Sequence, residues 1–414
     1  MLTFDFLTLV YSSSPTLPMI LQLYRSAYSG LSRSIWLLAL VMFINRCGTM
    51  VIPFLGVYLT ESLHLSIDQS GVIMALFGVG SIGGTLLGGR LTDRLGAYRV
   101  MWVCLGLGGV MFLVVGQLKT FESLCLGTFV LGLVAEGFRP AVTAAVALYS
   151  TPENRTRSYS LNRLALNLGW SVGPAVGGWL ASIDYSLLFW ADGCTCLAAT
   201  LLLVLILPRT FVSHDRQTVE QSRQDSAYRD THFMVFMVFV TLFAITFFQL
   251  FSTVPLYYKQ VYHLPENQIG TLMALNGVLI VAVEMVLVHQ LENRFVHLRL
   301  MAIGTLLVGI SYLIFNVFFG VIWLVVAMIL ATLAEMLAMP FMNSYAIARS
   351  KPHNRGQYTA AYTASWSIAQ ISAPLLGTQF ISRVGFASAW WLMISFSLVA
   401  TIGFLSLSYR SKKS

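Results

Sequence analysis

Five ionisable residues fall deep inside long apolar runs of this chain: Arg46, Glu136, Arg139, Glu284 and Glu335. Carrying a charge to the centre of a membrane helix costs about 2.5–3.5 kcal/mol on insertion scales, so such groups are kept for what they bind. The chemistry open to them is proton exchange or the holding of a charged solute. Glu136 and Arg139 are three residues apart and share a face on a helix, where they offset one another. Glu335 has no basic residue within a turn, which suits a carboxyl that takes up and releases a proton. Glu284 lies nearer the end of its run and reads equally as a gate-forming carboxylate or a proton site. Asp192 and Arg163 also lie toward the ends of theirs.

The elements that hold these residues follow from composition. Of 414 residues, 57% are apolar and 10% charged, where a soluble domain carries about 25% charged residues. A chain this apolar cannot hide its surface in a water-soluble core, which excludes soluble enzymes, nucleic-acid binders and disordered regulators. Apolar runs long enough to cross about 30 Å of hydrocarbon as helix lie near 36–60, 70–88, 100–118, 123–149, 159–182, 186–208, 233–258, 269–290, 300–318, 320–347, 357–379 and 386–408. An all-α integral membrane protein of twelve transmembrane helices is expected. Open sheets leave backbone groups unsatisfied in lipid, and a barrel would alternate as these runs do not.

Arginine and lysine cluster in alternate loops, among them Arg90, Arg94 and Arg99, Arg155 and Arg157, and Arg349, Lys351 and Arg355. The opposite loops hold Lys119, Lys259 and Arg383. This bias places both termini in the cytoplasm. The net charge of +8 is thereby a topology signal, and no nucleic-acid partner is expected. Five cysteines without paired spacing suggest neither a disulfide scaffold nor a metal site. There is no G-x-x-x-x-G-K-[ST] phosphate loop, no His/Cys/Asp cluster with ligand spacing and no catalytic set. Catalytic residues, metals and cofactors are therefore not expected, and a membrane enzyme or channel is disfavoured.

The polar stretch 209–232 separates six runs from six, and a single offset of 200 residues relates the halves. Pro152, Asn154 and Arg155 match Pro352, Asn354 and Arg355; Leu91, Asp93 and Arg94 match Leu291, Asn293 and Arg294; Pro140, Pro174 and Gly177 match Pro340, Pro374 and Gly377. The expected organisation is a cytoplasmic or interfacial extension over 1–35, a six-helix bundle over 36–208, a cytoplasmic linker over 209–232, a pseudo-symmetric six-helix bundle over 233–408 and a cytoplasmic tail over 409–414. Two such bundles can rock about a central cavity, exposing it to one side at a time.

The loop after the second run, Gly89-Arg90-Leu91-Thr92-Asp93-Arg94-Leu95-Gly96-Ala97-Tyr98-Arg99, resembles the G-x-x-x-D-R-x-G signature of the major facilitator superfamily. The resemblance covers roughly 36–408. It implies a cytoplasmic latch in which Asp93 and Arg94, supported by Arg99 and set by Gly89 and Gly96, close the inner side of the outward-open state. It also implies that the first and fourth spans line the cavity, so that Arg46 joins Glu136 and Arg139.

Two subtypes compete. Gly169-x-x-x-Gly173-Pro174-x-x-Gly177-Gly178 resembles the antiporter motif of drug:proton antiporters. Small residues there permit close helix contact, and the proline removes a hydrogen bond and kinks the helix, so the segment can pack or hinge. Proton-coupled oligopeptide transporters supply the other likeness. Asn45-Arg46 stands in place of their Glu-Arg, Arg139-Pro140 in place of Lys-Pro, Glu335 with Pro340 matches their tenth span, and Asn167-Leu168-Gly169 echoes their N-x-G. Met42 and Asn45 replace both of that family's first-span glutamates. The expected function is secondary active transport of a small organic solute by alternating access, coupled to protons and favouring export, with proton-coupled uptake of di- or tripeptides or related zwitterions as the alternative. The expected setting is a monomer in the lipid bilayer of a bacterial inner membrane.

Overall fold

The computed structural model describes residues 30–151, 154–208, 226–292, 294–350 and 354–410, and the regular structure among them is helical. The first half contains α1 (Arg33–Cys47), α2 (Val51–Val57), α3 (Ile67–Leu95), α4 (Ala97–Val115), α5 (Phe121–Ala135), α6 (Phe138–Tyr149), α7 (Arg155–Ala181) and α8 (Ser186–Ile206). The second half contains α9 (Thr231–Ser252), α10 (Val254–Gln260), α11 (Glu266–Leu279), α12 (Met285–Glu292), α13 (His297–Val317), α14 (Val321–Arg349) and α15 (Arg355–Arg410). Single π turns, Tyr58–Ser62 and Ile280–Glu284, extend α2 and join α11 to α12.

Among the described residues, ten segments are long and apolar enough to cross a membrane. This differs from the expected twelve for two physical reasons. Helix α7 covers the run 159–182, but Arg155, Arg157, Asn162, Arg163 and Asn167 make its first half polar. The runs 357–379 and 386–408 form one continuous segment that reverses at Gly385, whose φ of 85° and ψ of 170° suit a residue without a Cβ. Boundaries shift as well. Helix begins at Arg33 rather than after 35, and α9 begins at Thr231, inside the expected linker. The remainder of the N-terminal extension (1–29), most of the linker (209–225), Pro152, Asn293, Lys351, Pro352 and the last tail residues (411–414) lie outside the described residues.

The halves repeat locally. Asn154 and Asn354 are both buried and both immediately precede a helix, α7 and α15. Large apolar side chains such as Leu205 (71% exposed) and Phe319 (76% exposed) face outward. An outer surface this apolar is suited to lipid rather than water.

Three segments break in mid-course. The first stops at Gly48 and restarts at Val51, the fourth is interrupted at Glu136–Gly137, and the seventh breaks at Thr253 ahead of Pro255. Each break frees backbone groups that need partners. At the first, the buried Asp192 carboxylate of α8 accepts from the amides of Met50 (3.0 and 3.1 Å) and Val51 (2.9 Å). At the seventh, Gln249 ties the break to α15, donating to the Ala373 carbonyl (2.9 Å) and accepting from the Thr253 hydroxyl (2.7 Å).

Candidate functional site: a central cavity between the halves

The broken segments surround a cavity of about 290 Å³ lined from both halves of the chain. Arg46, Glu136 and Arg139 face it from α1 and the α5–α6 junction, and Asn167 and Trp170 from α7. Phe247, Phe248 and Phe251 of α9, Asn276 of α11, Glu335 of α14, and Trp366 and Gln370 of α15 complete the wall. The i,i+3 pair forms: Arg139 Nε lies 2.7 Å from Glu136 Oε2. Arg46 is 6% exposed, and its Nε has no hydrogen-bond partner among the described residues. Glu335 Oε2 accepts from Asn276 Nδ2 at 3.0 Å, and Asn276 also reaches the Thr332 hydroxyl at 3.1 Å.

Two of the expected solute-facing residues sit elsewhere. Asn45 is not among the lining residues; it donates toward Cys196 Sγ (3.5 Å), because successive helical residues point about 100° apart and Arg46 takes the cavity direction. Glu284 also stands off the cavity. It ends the π turn before α12 and pairs with Arg163 of α7, an ion pair joining the two halves.

The small residues of α7 act by packing. A Cβ at Gly169 would strike Arg46, one at Gly173 would press on the Cys47 carbonyl (3.2 Å), and one at Gly177 would meet Met50 (2.9 Å). The stripe thus holds the broken first segment in place and with it the Arg46 backbone. Gly178 faces the other half, where a Cβ would meet Glu266 and Gly270. A Cβ at Gly270 would in turn strike Pro174 and Gly178, as one at Gly71 would strike Thr378 and Pro374. Sequence reasoning passes over a second stripe. Gly80, Gly84 and Gly88 of α3 lie against Phe129, Leu133 and Gly137, and their i, i+4, i+8 spacing is its legible signal.

The Gly178–Gly270 and Gly71–Thr378 contacts between the halves lie toward the face opposite the Arg90–Arg99 loop, and polar contacts reinforce them. Ser382 donates to Asp68 (2.5 Å), Tyr185 donates to Glu266, and Lys259 lies 2.6 Å from the same carboxylate. Toward the basic face the Arg163–Glu284 ion pair is the cross-half tie named above, while the side chains of Arg139 and Arg163 are 55% and 57% exposed, and Thr143, Asn343 and Ser344 are exposed beyond them. The cavity is closed on one face and open on the other. In the signature loop, Gly96 takes a φ of 87° at the turn between α3 and α4. Asp93, Arg94 and Arg99 are exposed, and among the described residues none of them forms an ion pair. Space around Gly89 is open in this conformation, so its lack of a side chain is not enforced here.

Broken apolar helices around a two-sided cavity, with one mouth shut, define a membrane transporter. The chain belongs to the Major Facilitator Superfamily, whose model matches residues 38–369 and 293–414. Among its relatives is an uncharacterised MFS-type transporter, YqjV, of Bacillus subtilis strain 168 (25% identical over 391 residues, 91% of this chain and 94% of the relative). Multidrug resistance protein 2 of the same organism is 22% identical over 389 residues, covering 90% and 96%. A solved POT family transporter in complex with 5-aminolevulinic acid superposes with a TM-score of 0.78 at 14% identity, over 92% of this chain and 97% of that one. The protein is a multi-pass membrane transporter, not an enzyme.

Proposed function

We propose that the protein is a proton-coupled secondary transporter that exports a small organic solute by alternating access. In this reading twelve crossings form two six-helix bundles, α1–α8 and α9–α15, with both termini in the cytoplasm of a bacterium and the chain working as a monomer. The observation that carries it is the cavity itself: it is lined by both halves, contains buried ionisable side chains, and is shut on one face while open on the other. Glu335 is the proton site, since it faces the cavity from the second half and contacts an amide rather than a cation. Protonation biases one orientation only to the extent that the two orientations bind the proton differently. The exposed Asp93, Arg94 and Arg99, with Gly89 and Gly96, form the latch of the opposite orientation. The packed residues Asn167, Gly169, Gly173, Pro174, Gly177 and Gly178 carry the first segment as the bundles rock. Likeness to a multidrug resistance protein supports the export direction.

Uptake of peptides or related zwitterions is the second reading. It is favoured by one specific arrangement, Arg46 and Arg139 sharing a cavity with Glu335. The test is made in proteoliposomes. Glu335→Gln should abolish gradient-driven flux while leaving solute exchange intact, and unchanged gradient dependence in that variant removes Glu335 from the coupling step. Dipeptide accumulation driven by an inward proton gradient, abolished by an ionophore, would replace export with uptake.

A further inference from the structure

The cavity has an asymmetry in how its charged groups are satisfied. Each lining carboxylate is answered from within the protein: Glu136 by Arg139 at 2.7 Å, and Glu335 by the Asn276 amide at 3.0 Å. The buried Arg46 is the exception, with its Nε facing no acceptor among the described residues. A guanidinium N–H withdrawn from water without an acceptor is costly, and the cost is recovered when an acceptor arrives. The missing complement is therefore an acceptor, and opposite a guanidinium the matching acceptor is an anion. Gly169 and Gly173 pack against the backbone of Arg46 and Cys47, so the stretch of backbone that carries the guanidinium is held in position before anything binds.

The rest of the cavity specifies the body of the ligand. Trp170 from the first half meets Phe251 from the second at a centroid distance of 5.4 Å. Phe247 continues the surface at 5.5 Å from Phe251 and 6.1 Å from Trp366. These rings meet at 51–75° and form a continuous aromatic wall, presenting faces and edges against which another flat ring can pack. A volume of about 290 Å³ sits at the small end of ligand sites, which run from roughly 300 to 1,000 Å³.

From this we infer that the solute is a compact aromatic organic anion, its acidic group on Arg46 and its one- or two-ring body against the wall of Trp170, Phe251 and Phe247. The inference rests on the transporter reading above and narrows it, setting aside lipophilic cations as the preferred cargo. Dipeptides without an aromatic side chain are set aside with them.

The purified full-length protein is titrated with three probes: 2-naphthoate, the matching cation 2-naphthylmethylammonium, and hexanoate. Thermal stability and tryptophan fluorescence are followed. The expected result is stabilisation by 2-naphthoate, none by the cation, and a weaker response to hexanoate. Arg46→Gln should weaken 2-naphthoate binding about tenfold or more, the worth of a hydrogen bond between charged partners, and Arg46→Lys should restore part of it. Should Arg46→Gln not fold, Trp170→Ala decides: it should lose the advantage of 2-naphthoate over hexanoate. Equal or stronger binding of the cation, no binding of 2-naphthoate, undiminished binding in a folded Arg46→Gln, or a retained aromatic preference in Trp170→Ala each overturns the ligand class. Flux is read separately in proteoliposomes. If 2-naphthoate binds through Arg46 but no gradient moves it, the ligand class stands and the transporter reading fails for this solute. If only the cation is carried, the transporter reading stands and the ligand class falls.

Discussion

The carboxylate of Asp192 accepts hydrogen bonds from the Met50 amide across 142 positions of sequence, and it does so where the first membrane segment is broken. It also accepts from Val51, so one fully buried side chain caps both amides at the restart of α2. The cap allows the segment to break beside Arg46 without leaving bare backbone in the interior.

Removing that cap should destabilise the whole protein. Asp192→Asn keeps one acceptor oxygen and should cost about 1–3 kcal/mol; Asp192→Leu keeps none and should cost more, lowering Tm further or abolishing folded yield. Thermal unfolding of the purified variants gives the comparison. An Asp192→Leu protein with the parental Tm would mean that the two amides are satisfied in another way.

The closed face depends on side chains being absent. Gly270→Val puts methyl groups where the Pro174 and Gly178 backbone now lies, which a rigid interface accommodates only by parting. Asp68→Cys and Ser382→Cys, introduced together in a cysteine-free background, report that parting because the native side chains are in hydrogen-bond contact. The pair should crosslink readily, and crosslinking should fall severalfold once Gly270→Val is added. Undiminished crosslinking would show that the seam yields locally.

Asp93 is exposed here and forms no ion pair among the described residues. Asp93→Asn should therefore alter the stability of this conformer by no more than about 0.5 kcal/mol, as surface changes usually do. If Asp93 latches the other orientation, the same variant should raise crosslinking of the 68/382 cysteine pair. No change in that ratio would remove Asp93 from the switch.

Asp230, just ahead of α9, offers a test by pH. Burial pushes its carboxyl up, but hydrogen bonds from Arg349 (2.5 and 2.9 Å), the Phe233 amide (3.1 Å) and the Tyr358 hydroxyl (2.9 Å) outweigh burial and hold it below the usual carboxylate range. A depressed folded-state value stabilises above the unfolded value of about 3.9, and the contribution is lost as pH falls through the lower folded value. Wild type should exceed Asp230→Asn in Tm at pH 7, and the difference should shrink on acidification below about pH 4. A gap that stays constant with pH would assign the effect to shape rather than charge.

Local spacing makes part of this molecule legible. The Glu136–Arg139 pair follows from an i,i+3 interval, and the paired asparagines at 154 and 354 from the repeat. Hydropathy locates most crossings but blurs two, where polar residues crowd α7 and where Gly385 turns the chain without a polar loop. What escapes is long-range. In sequence Asp192 resembles any end-of-helix acid, and Arg163 and Glu284 any two unrelated charges, because their partners lie 142 and 121 residues away. Grouping Asn45 with its neighbour in the cavity overlooks that adjacent helical residues cannot face the same way. The aromatic wall joins rings from α7, α9 and α15, an encounter to which no single periodicity points.

The glycine at 270 against Pro174, and the glycine at 71 against Pro374, are two like joints on the closed face, the prolines standing 200 residues apart and the glycines 199. If the halves move as rigid bodies, they cannot part at one joint while the other stays seated, so the work of separation is shared between twins. Damage to either twin should thus be felt at both, and a compensating change in the sister copy is where natural or selected suppressors ought to arise.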